Sequence, residues 1–315
     1  MNSTQFTSFI LAGYSDIGQL KYLYVLIMTV LCISIWFSNI LLIVVICIER
    51  NLHKPMYLIL CSLFVNDLYG STALYPAIMI HLVSDVHSIS TGHCYLQIFC
   101  IYTYGCIEVG NLAVMSYDRY LAICHPLQYT VIMTPKKVCV LICVIWFCMS
   151  VHMILNVSLT ARLEFCGNVI DKLFCDNYLI VKLACSASDA AVNNIFGLLS
   201  YNLIFMVCLF TIFFSYTAIL TICLKSSIAT RKKALSTCTP HLASLINFFF
   251  GCFFTVLQSR FDSPMKHFPS EVKAILSVYF AMIQPLFNPI LYGMRMSKLR
   301  KACKNVLVLG QYPDK

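Results

Sequence analysis

Apolar residues run through this chain in long uncharged blocks, not in the alternation of a half-buried strand or the single stripe of a surface helix. A bilayer core needs about 20 residues of helix, and a fixed charge at its centre costs roughly 3 kcal/mol. Five blocks meet that length without a fixed charge: Tyr22 to Ile48, Val138 to Ala161, Ala190 to Leu224, Ala274 to Met294, and Ala234 to Ser259, the last with only His241 titratable. Two further blocks carry acids at depth. Met56 to Ile80 contains Asp67, and Cys94 to Ile123 contains Glu108 and ends in Asp118 and Arg119. The pattern predicts an all-α membrane protein of seven spanning helices, forming one unit over 1–315 with no internal repeat and no soluble domain.

Composition removes the soluble alternatives. Hydrophobic residues make up 60% of the chain and charged ones 11%, with a mean hydropathy of +0.81; globular chains are about half apolar and a quarter charged. The net charge of +9 is no argument for nucleic acid, because Lys and Arg in membrane proteins first set orientation. Fourteen of them fall in the Glu49 to Lys54, Cys124 to Lys137 and Lys225 to Lys233 loops and after Gly293, against seven on the other face. The positive-inside bias therefore places the tail 1–21 and the long loop 160–193 outside and the tail 293–315 in the cytoplasm. The first span is expected to serve as an uncleaved insertion signal.

The eighteen cysteines divide along the same line. Fourteen fall in spans or on the cytoplasmic side, leaving Cys94, Cys166, Cys175 and Cys185 facing an oxidising compartment. That even number suggests two disulfides in any of three pairings. Asn2 opens an Asn-Ser-Thr glycosylation acceptor in the external tail, whereas the match at Asn156 lies inside the fourth span, out of the modifying enzyme's reach.

Short motifs narrow the seven-span reading. Asn39 lies in the first span, Leu52-His53-Lys54-Pro55-Met56-Tyr57 precedes the second, and Met115-Ser116-Tyr117-Asp118-Arg119-Tyr120 leads into Leu121-Ala122-Ile123-Cys124-His125-Pro126-Leu127 after the third. Ser215-Tyr216 stands in the fifth, Lys233-Ala234-Leu235-Ser236-Thr237-Cys238-Thr239-Pro240-His241-Leu242 opens the sixth, and Pro285-Leu286-Phe287-Asn288-Pro289-Ile290-Leu291-Tyr292 closes the seventh. In order and spacing these resemble the rhodopsin-like G-protein-coupled receptors, and within them the odorant receptors. Ser116, Leu121, Leu235 and Pro240 depart from the commoner residues without touching Asp118 or Arg119. Leu96 to Tyr104 and Leu257 to Phe261 look most like receptors of fishes.

The resemblance implies roles for particular residues. Arg119 would pair with Asp118 at rest and swing toward Tyr216, Tyr292 and a stimulatory, olfactory-type heterotrimeric G protein on activation, with Tyr120, Asn288 and Pro289 in the same machinery. It implies disulfides Cys94 to Cys175 and Cys166 to Cys185, a plasma-membrane location in sensory cilia, and sodium between Asp67 and Glu108 with Asn39 and Asn288 nearby; a shared proton is the simpler account of two facing carboxylates. Pro285 and Pro289 each remove a backbone donor and kink the seventh span, and Asn288 can satisfy a freed carbonyl. For a small-molecule odorant, helical spacing in the outer half of the bundle selects Ile101, Tyr102, Gly105, Cys106 and Val109 on the third span. It selects Met153 on the fourth, Tyr201, Asn202 and Phe205 on the fifth, Phe250, Phe253, Phe254 and Leu257 on the sixth, and Tyr279 on the seventh, with Asn177 and Tyr178 in the loop. Each of these serves helix packing or lipid contact equally well. Arg260 is placed to meet an acidic odorant, the headgroups or Asp262.

Ser297 to Leu309, with Lys298, Arg300, Lys301 and Lys304 among Leu299, Val306 and Leu307, has the composition of an amphipathic helix lying on anionic membrane lipids; Cys303 within it is a lipidation candidate whose default is a free thiol. Other classes fit less well. Cys238 and His241 are three residues apart and supply two ligands at most, too few for an enzyme or a transition-metal site. A retinal pump needs a lysine within the seventh span, and none stands between Lys273 and Lys298. An ion-coupled transporter or channel using Asp67 and Glu108 is the serious rival, but no repeated halves support it.

Overall fold

The structure, a computed structural model, describes residues 6–14, 20–260 and 270–309; Asn2 and Asp262 lie outside them. Each long apolar block is a helix. They are α1 (Lys21–Ile48), α2 (Pro55–Val83), α3 (Thr91–Cys124), α5 (Pro135–Ala161), α7 (Ala187–Lys225), α8 (Ile228–Arg260) and α9 (Ser270–Arg295). Short helices α4 (Pro126–Ile132) and α6 (Asn177–Lys182) occupy two loops, and α10 (Ser297–Leu309) follows α9. Six of the long helices are apolar and long enough to cross a bilayer among the described residues, and α9 closes the seven-helix bundle against α1, α2 and α8.

The helices outrun the apolar blocks because their ends are capped in polar sequence. Ser90, Thr134 and Ser186 accept backbone N–H groups of His93, Lys137 and Asp189 at the starts of α3, α5 and α7, and Pro55 and Pro135 occupy first-turn positions where their missing donor costs nothing. α8 begins at Ile228, a turn and a half before the apolar run at Ala234. In the interior, close packing is set by small residues: a Cβ at Gly70 would lie 2.6 Å from the Tyr104 ring, so α2 and α3 approach there only because the side chain is absent.

One end of the bundle, here called the outer end, carries a cap. The sequence pattern predicts a tail at the N-terminal stretch, but Ser8–Leu11 forms β1, antiparallel to β2 (Ser88–Ser90) and parallel to β3 (Val169–Ile170). Phe9 and Leu11 point inward onto Ile89, Phe165, Ile170 and Phe174, and Tyr14 donates to the Leu173 carbonyl at 2.7 Å. Burial holds the Tyr14 phenol above its ordinary pKa. The segment joins the cap because its alternation puts apolar side chains on one face, a signal too short to stand out beside the long spans. Between α5 and α7 the chain closes into a lid stapled by Cys94–Cys175 to α3 and by Cys166–Cys185 within itself, the two pairings the resemblance implies. At the opposite, inner end, α10 buries Leu299 and Ala302 against Leu42, Val45 and Tyr292, and Cys303 packs half-buried on the same cluster.

Candidate functional site

Three polar constellations occupy the bundle axis. At mid-depth Asp67 on α2 and Glu108 on α3 are fully buried. The Asn288 amide on α9 joins them, its Nδ2 standing 3.1 Å from Asp67 Oδ2 and 3.0 Å from Glu108 Oε1. Asn66 donates to Glu108 Oε2 at 3.0 Å and Gln284 to Glu108 Oε1 at 3.1 Å, while Ser244 on α8 donates to Asn288 Oδ1 at 2.8 Å. Asn247 pairs with Gln284 and accepts from the Tyr279 hydroxyl. Neither acid has an ion-pair partner among the described residues; amide donors carry the whole of their stabilisation, as buried carboxylates require.

Asn39 stands apart from the acids. Its amide donates to the carbonyls of Ile35 and Pro285, both at 2.9 Å. Pro289 has no N–H to give the Pro285 carbonyl four residues before it, so the freed acceptor is met by α1. The sequence expectation that Asn288 takes that task is corrected: Asn288 is committed to the two acids.

At the inner end Arg119 donates from Nε to Asp118 Oδ2 at 3.0 Å and makes a second, shorter contact with the same oxygen. The other carboxylate oxygen accepts from the Tyr129 hydroxyl on α4 at 2.7 Å, and burial together with Asp118 holds that phenol above its ordinary pKa. Tyr216 is hydrogen-bonded to His241 of α8 and stacked on its ring; Tyr292 donates to Met115 Sδ at 3.4 Å. The hydrogen bonds of both tyrosines thus go to partners other than Arg119. Tyr120 bonds His125 and packs edge-on against Phe214.

At the outer end the residues selected by helical spacing separate into two groups. Tyr102 and Tyr201 face each other with ring centroids 5.7 Å apart; Tyr201 donates to Met153 Sδ at 2.6 Å, and His152 meets its ring edge-on. Cys106 and Val109 are buried, Ile101 and Gly105 half-buried, and Phe205 stacks on Phe248. Asn177 accepts from Thr160 at 2.7 Å, and Tyr178 lies beneath the Arg260 guanidinium at 3.9 Å. Phe254 and Leu257 are half-buried. By contrast Phe253 is 61% exposed and Phe250 50%, although Phe250 touches Phe254 and Tyr279, and Asn202 is exposed with its amide spent on the Leu198 carbonyl. Spacing along one helix groups these residues but does not fix which arc faces the axis.

Several members went unread in the sequence, and His241 is read there only as a titratable group in the sixth block and a ligand partner of Cys238. Asn66, Ser244, Asn247 and Gln284 complete the mid-depth network, Tyr129 and His241 hold the inner end, and Lys172, Asp176 and Ser259 form a buried cluster under the lid. The first four carried a signal: each is a polar residue inside an apolar block, where a lipid-facing position costs several kcal/mol.

Comparison with known proteins agrees with this arrangement. The family model described as olfactory receptor matches residues 27–309. Olfactory receptor 4E2 of Mus musculus is 35% identical, covering 97% of both chains; Olfactory receptor 7C1 of Homo sapiens is 34% identical over 97% of this chain and 94% of its own; and Olfactory receptor 11A1 of Homo sapiens is 34% identical over 97% and 95%. With seven long helices bundled and two disulfides at one end, the chain belongs to the olfactory receptor family, a multi-pass membrane receptor and not an enzyme.

Proposed function

We propose that this receptor binds a small-molecule odorant among Tyr102, Tyr201, Met153, Cys106 and their neighbours under the lid, and passes the event to a heterotrimeric stimulatory G protein at the inner end, raising cyclic AMP. The outer end then faces the medium, the inner end faces the cytoplasm, and the basic face of α10 rests on anionic lipid of the plasma membrane, in sensory cilia by likeness to the family. The observation that carries the reading is the closed inner end: Arg119 clamped by Asp118, Asp118 steadied by Tyr129, and Tyr216 engaged by His241. An odorant acts by binding an arrangement with the inner ends parted more tightly than this one. In that arrangement Arg119 exchanges Asp118 for Tyr216, Tyr292 and the G protein.

The mid-depth network supports a bound sodium ion. Two buried carboxylates offer hard oxygen donors around one amide, a donor set that fits a small hard cation. Asp67 and Glu108 would hold it, with Asn288 steadying both, and the cation would favour the arrangement in which the two acids converge. Asn39, turned to Pro285, is not among these residues.

The test is expression at the surface of cells carrying the olfactory-type G protein, with cyclic AMP read against amino acids, bile acids, amines and volatile organics. A response lost in a surface-expressed Arg119→Ala receptor establishes signalling and names the ligand class. An ion flux dependent on Asp67 and Glu108 with no cyclic AMP response overturns the reading in favour of a transporter.

A further inference from the structure

Beneath the lid, beside Tyr102 of the proposed odorant site, lies a buried ionic cluster to which the signalling reading gives no role. Lys172 and Asp176 are four residues apart in the loop between α5 and α7, with side chains 1% and 2% exposed. Lys172 Nζ donates to Asp176 Oδ2 at 2.7 Å and to the Ser259 hydroxyl on α8 at 2.6 Å, and Ser259 is 2.9 Å from the same carboxylate oxygen. The other oxygen, Oδ1, caps α6 by accepting the N–H groups of Tyr178 and Leu179. One residue along α8, the Arg260 guanidinium covers the Tyr178 ring of that same helix. The lid therefore grips the last turn of α8 at two successive residues.

A buried ion pair is weak evidence for stability, since its desolvation offsets its attraction; its best-attested use is to fix register. The register fixed here is that of α8 against α3, because Asp176 follows Cys175, whose disulfide partner Cys94 stands in the first turn of α3. A covalent and ionic path thus runs from α3 through Cys94, Cys175, Asp176 and Ser259 into α8. α8 is one helix of 33 residues, about 50 Å long, and His241, which holds Tyr216, lies within it toward the inner end. From Ser259 back to His241 the helix has no interior proline, Pro240 standing just beyond, so this stretch is stiff enough to carry a change of grip at its outer end to His241.

We propose that Lys172, Asp176 and Ser259 form a latch that sets the pivot of α8, so that these three are positioning residues coupling the lid to the inner end of the receptor. The inference rests on the proposed parting of the inner ends, but not on which G protein reads it. A ligand that lifts or tilts the lid acts on α8 through this latch, without having to touch α8 itself.

Amide hydrogen exchange on the full chain in lipid nanodiscs, with no odorant and no G protein, tests it. Ser259→Ala is expected to speed exchange about tenfold in residues 171–183 and also in residues 228–242 at the far end of α8, while Ser259→Thr, which keeps the hydroxyl, stays near the parent. The double variant Lys172→Met with Asp176→Asn removes both charges while keeping side-chain size and the α6 cap; it is expected to give the same two-ended pattern and serves if Ser259→Ala does not fold. Faster exchange confined to the lid means a local staple and overturns the proposal, as does unchanged exchange in both regions. Because cyclic AMP is not the readout, failure here is distinguishable from failure of the signalling reading.

Discussion

Asn39 on α1 donates its side-chain amide to the carbonyl of Pro285 on α9 at 2.9 Å, supplying the hydrogen bond that Pro289 cannot give. A buried carbonyl left without a donor costs about 1–3 kcal/mol, and inside a bilayer no bulk water replaces the loss. Asn39→Leu should therefore lower the thermal unfolding midpoint in nanodiscs. The cause is separable by a double-mutant cycle. In a Pro289→Ala background the helix regains its own N–H, so the same Asn39→Leu change should cost at least about 1 kcal/mol less. Equal costs in the two backgrounds would show that Asn39 matters for packing alone.

Asp118 accepts from Arg119 on one oxygen and from Tyr129 on the other. Tyr129→Phe removes one of these bonds, and a hydrogen bond to a charged group contributes about 1.5–3 kcal/mol. Part of that loss should appear as a weaker hold on Arg119. Basal cyclic AMP per receptor at the cell surface should rise several-fold in Tyr129→Phe and fall to the untransfected level in Arg119→Ala. A Tyr129→Phe receptor with parental basal output would place the resting restraint elsewhere, first of all in the pairing of Tyr216 with His241.

Reading the sequence located the seven helices because bilayer span and charge cost act on every residue of a block at once. It located Asp118, Arg119, Asp67, Glu108, Asn288 and the disulfide cysteines because each is conspicuous against an apolar or reducing background. What it missed depends on pairing between distant segments. Phe9 and Leu11 are buried only because β2 and β3, 80 and 159 residues further on by the pairs Phe9 with Ile89 and Leu11 with Ile170, arrive beside them. Asn39 resembles a ligand of the acids until Pro289 is seen to leave a carbonyl within its reach. Phe250 and Phe253 share a helix with buried Phe248, and a phase of one or two residues separates the axis from the lipid.

Asp67 and Glu108 meet at Asn288, and among the described residues only amides donate to their carboxyl groups. If sodium joins them, its binding to the folded state raises stability by RT ln(1 + [Na+]/Kd), about 1.4 kcal/mol at ten times Kd. The unfolding midpoint should rise when choline chloride is exchanged for sodium chloride at constant ionic strength. Asp67→Asn should abolish that rise, whatever its effect on the midpoint itself. A salt response of equal size in the variant would leave the two carboxylates to share a proton instead.

Asp176 supplies a pH dependence whose sign follows from its surroundings. Burial by itself would raise its carboxyl pKa, but Lys172, Ser259 and the Leu179 N–H outweigh it and hold the carboxyl below its ordinary value of 3.8. A carboxylate whose folded pKa is depressed contributes stability that is present above the unfolded value and lost as pH falls through the folded one. The contribution of Asp176 should thus be constant across neutral and mildly acid pH and decline only below about 3.8. The measurement is the difference in unfolding midpoint between the parent and Asp176→Asn, which cancels the response of every other titrating group to a first approximation. That difference should stay level from about pH 8 to 5 and shrink below about 3.8. A difference that already shrinks between about pH 7 and 5 would mean that the carboxyl is raised by its burial, and that Lys172 does not hold it in the paired state on which the grip of the lid on α8 depends.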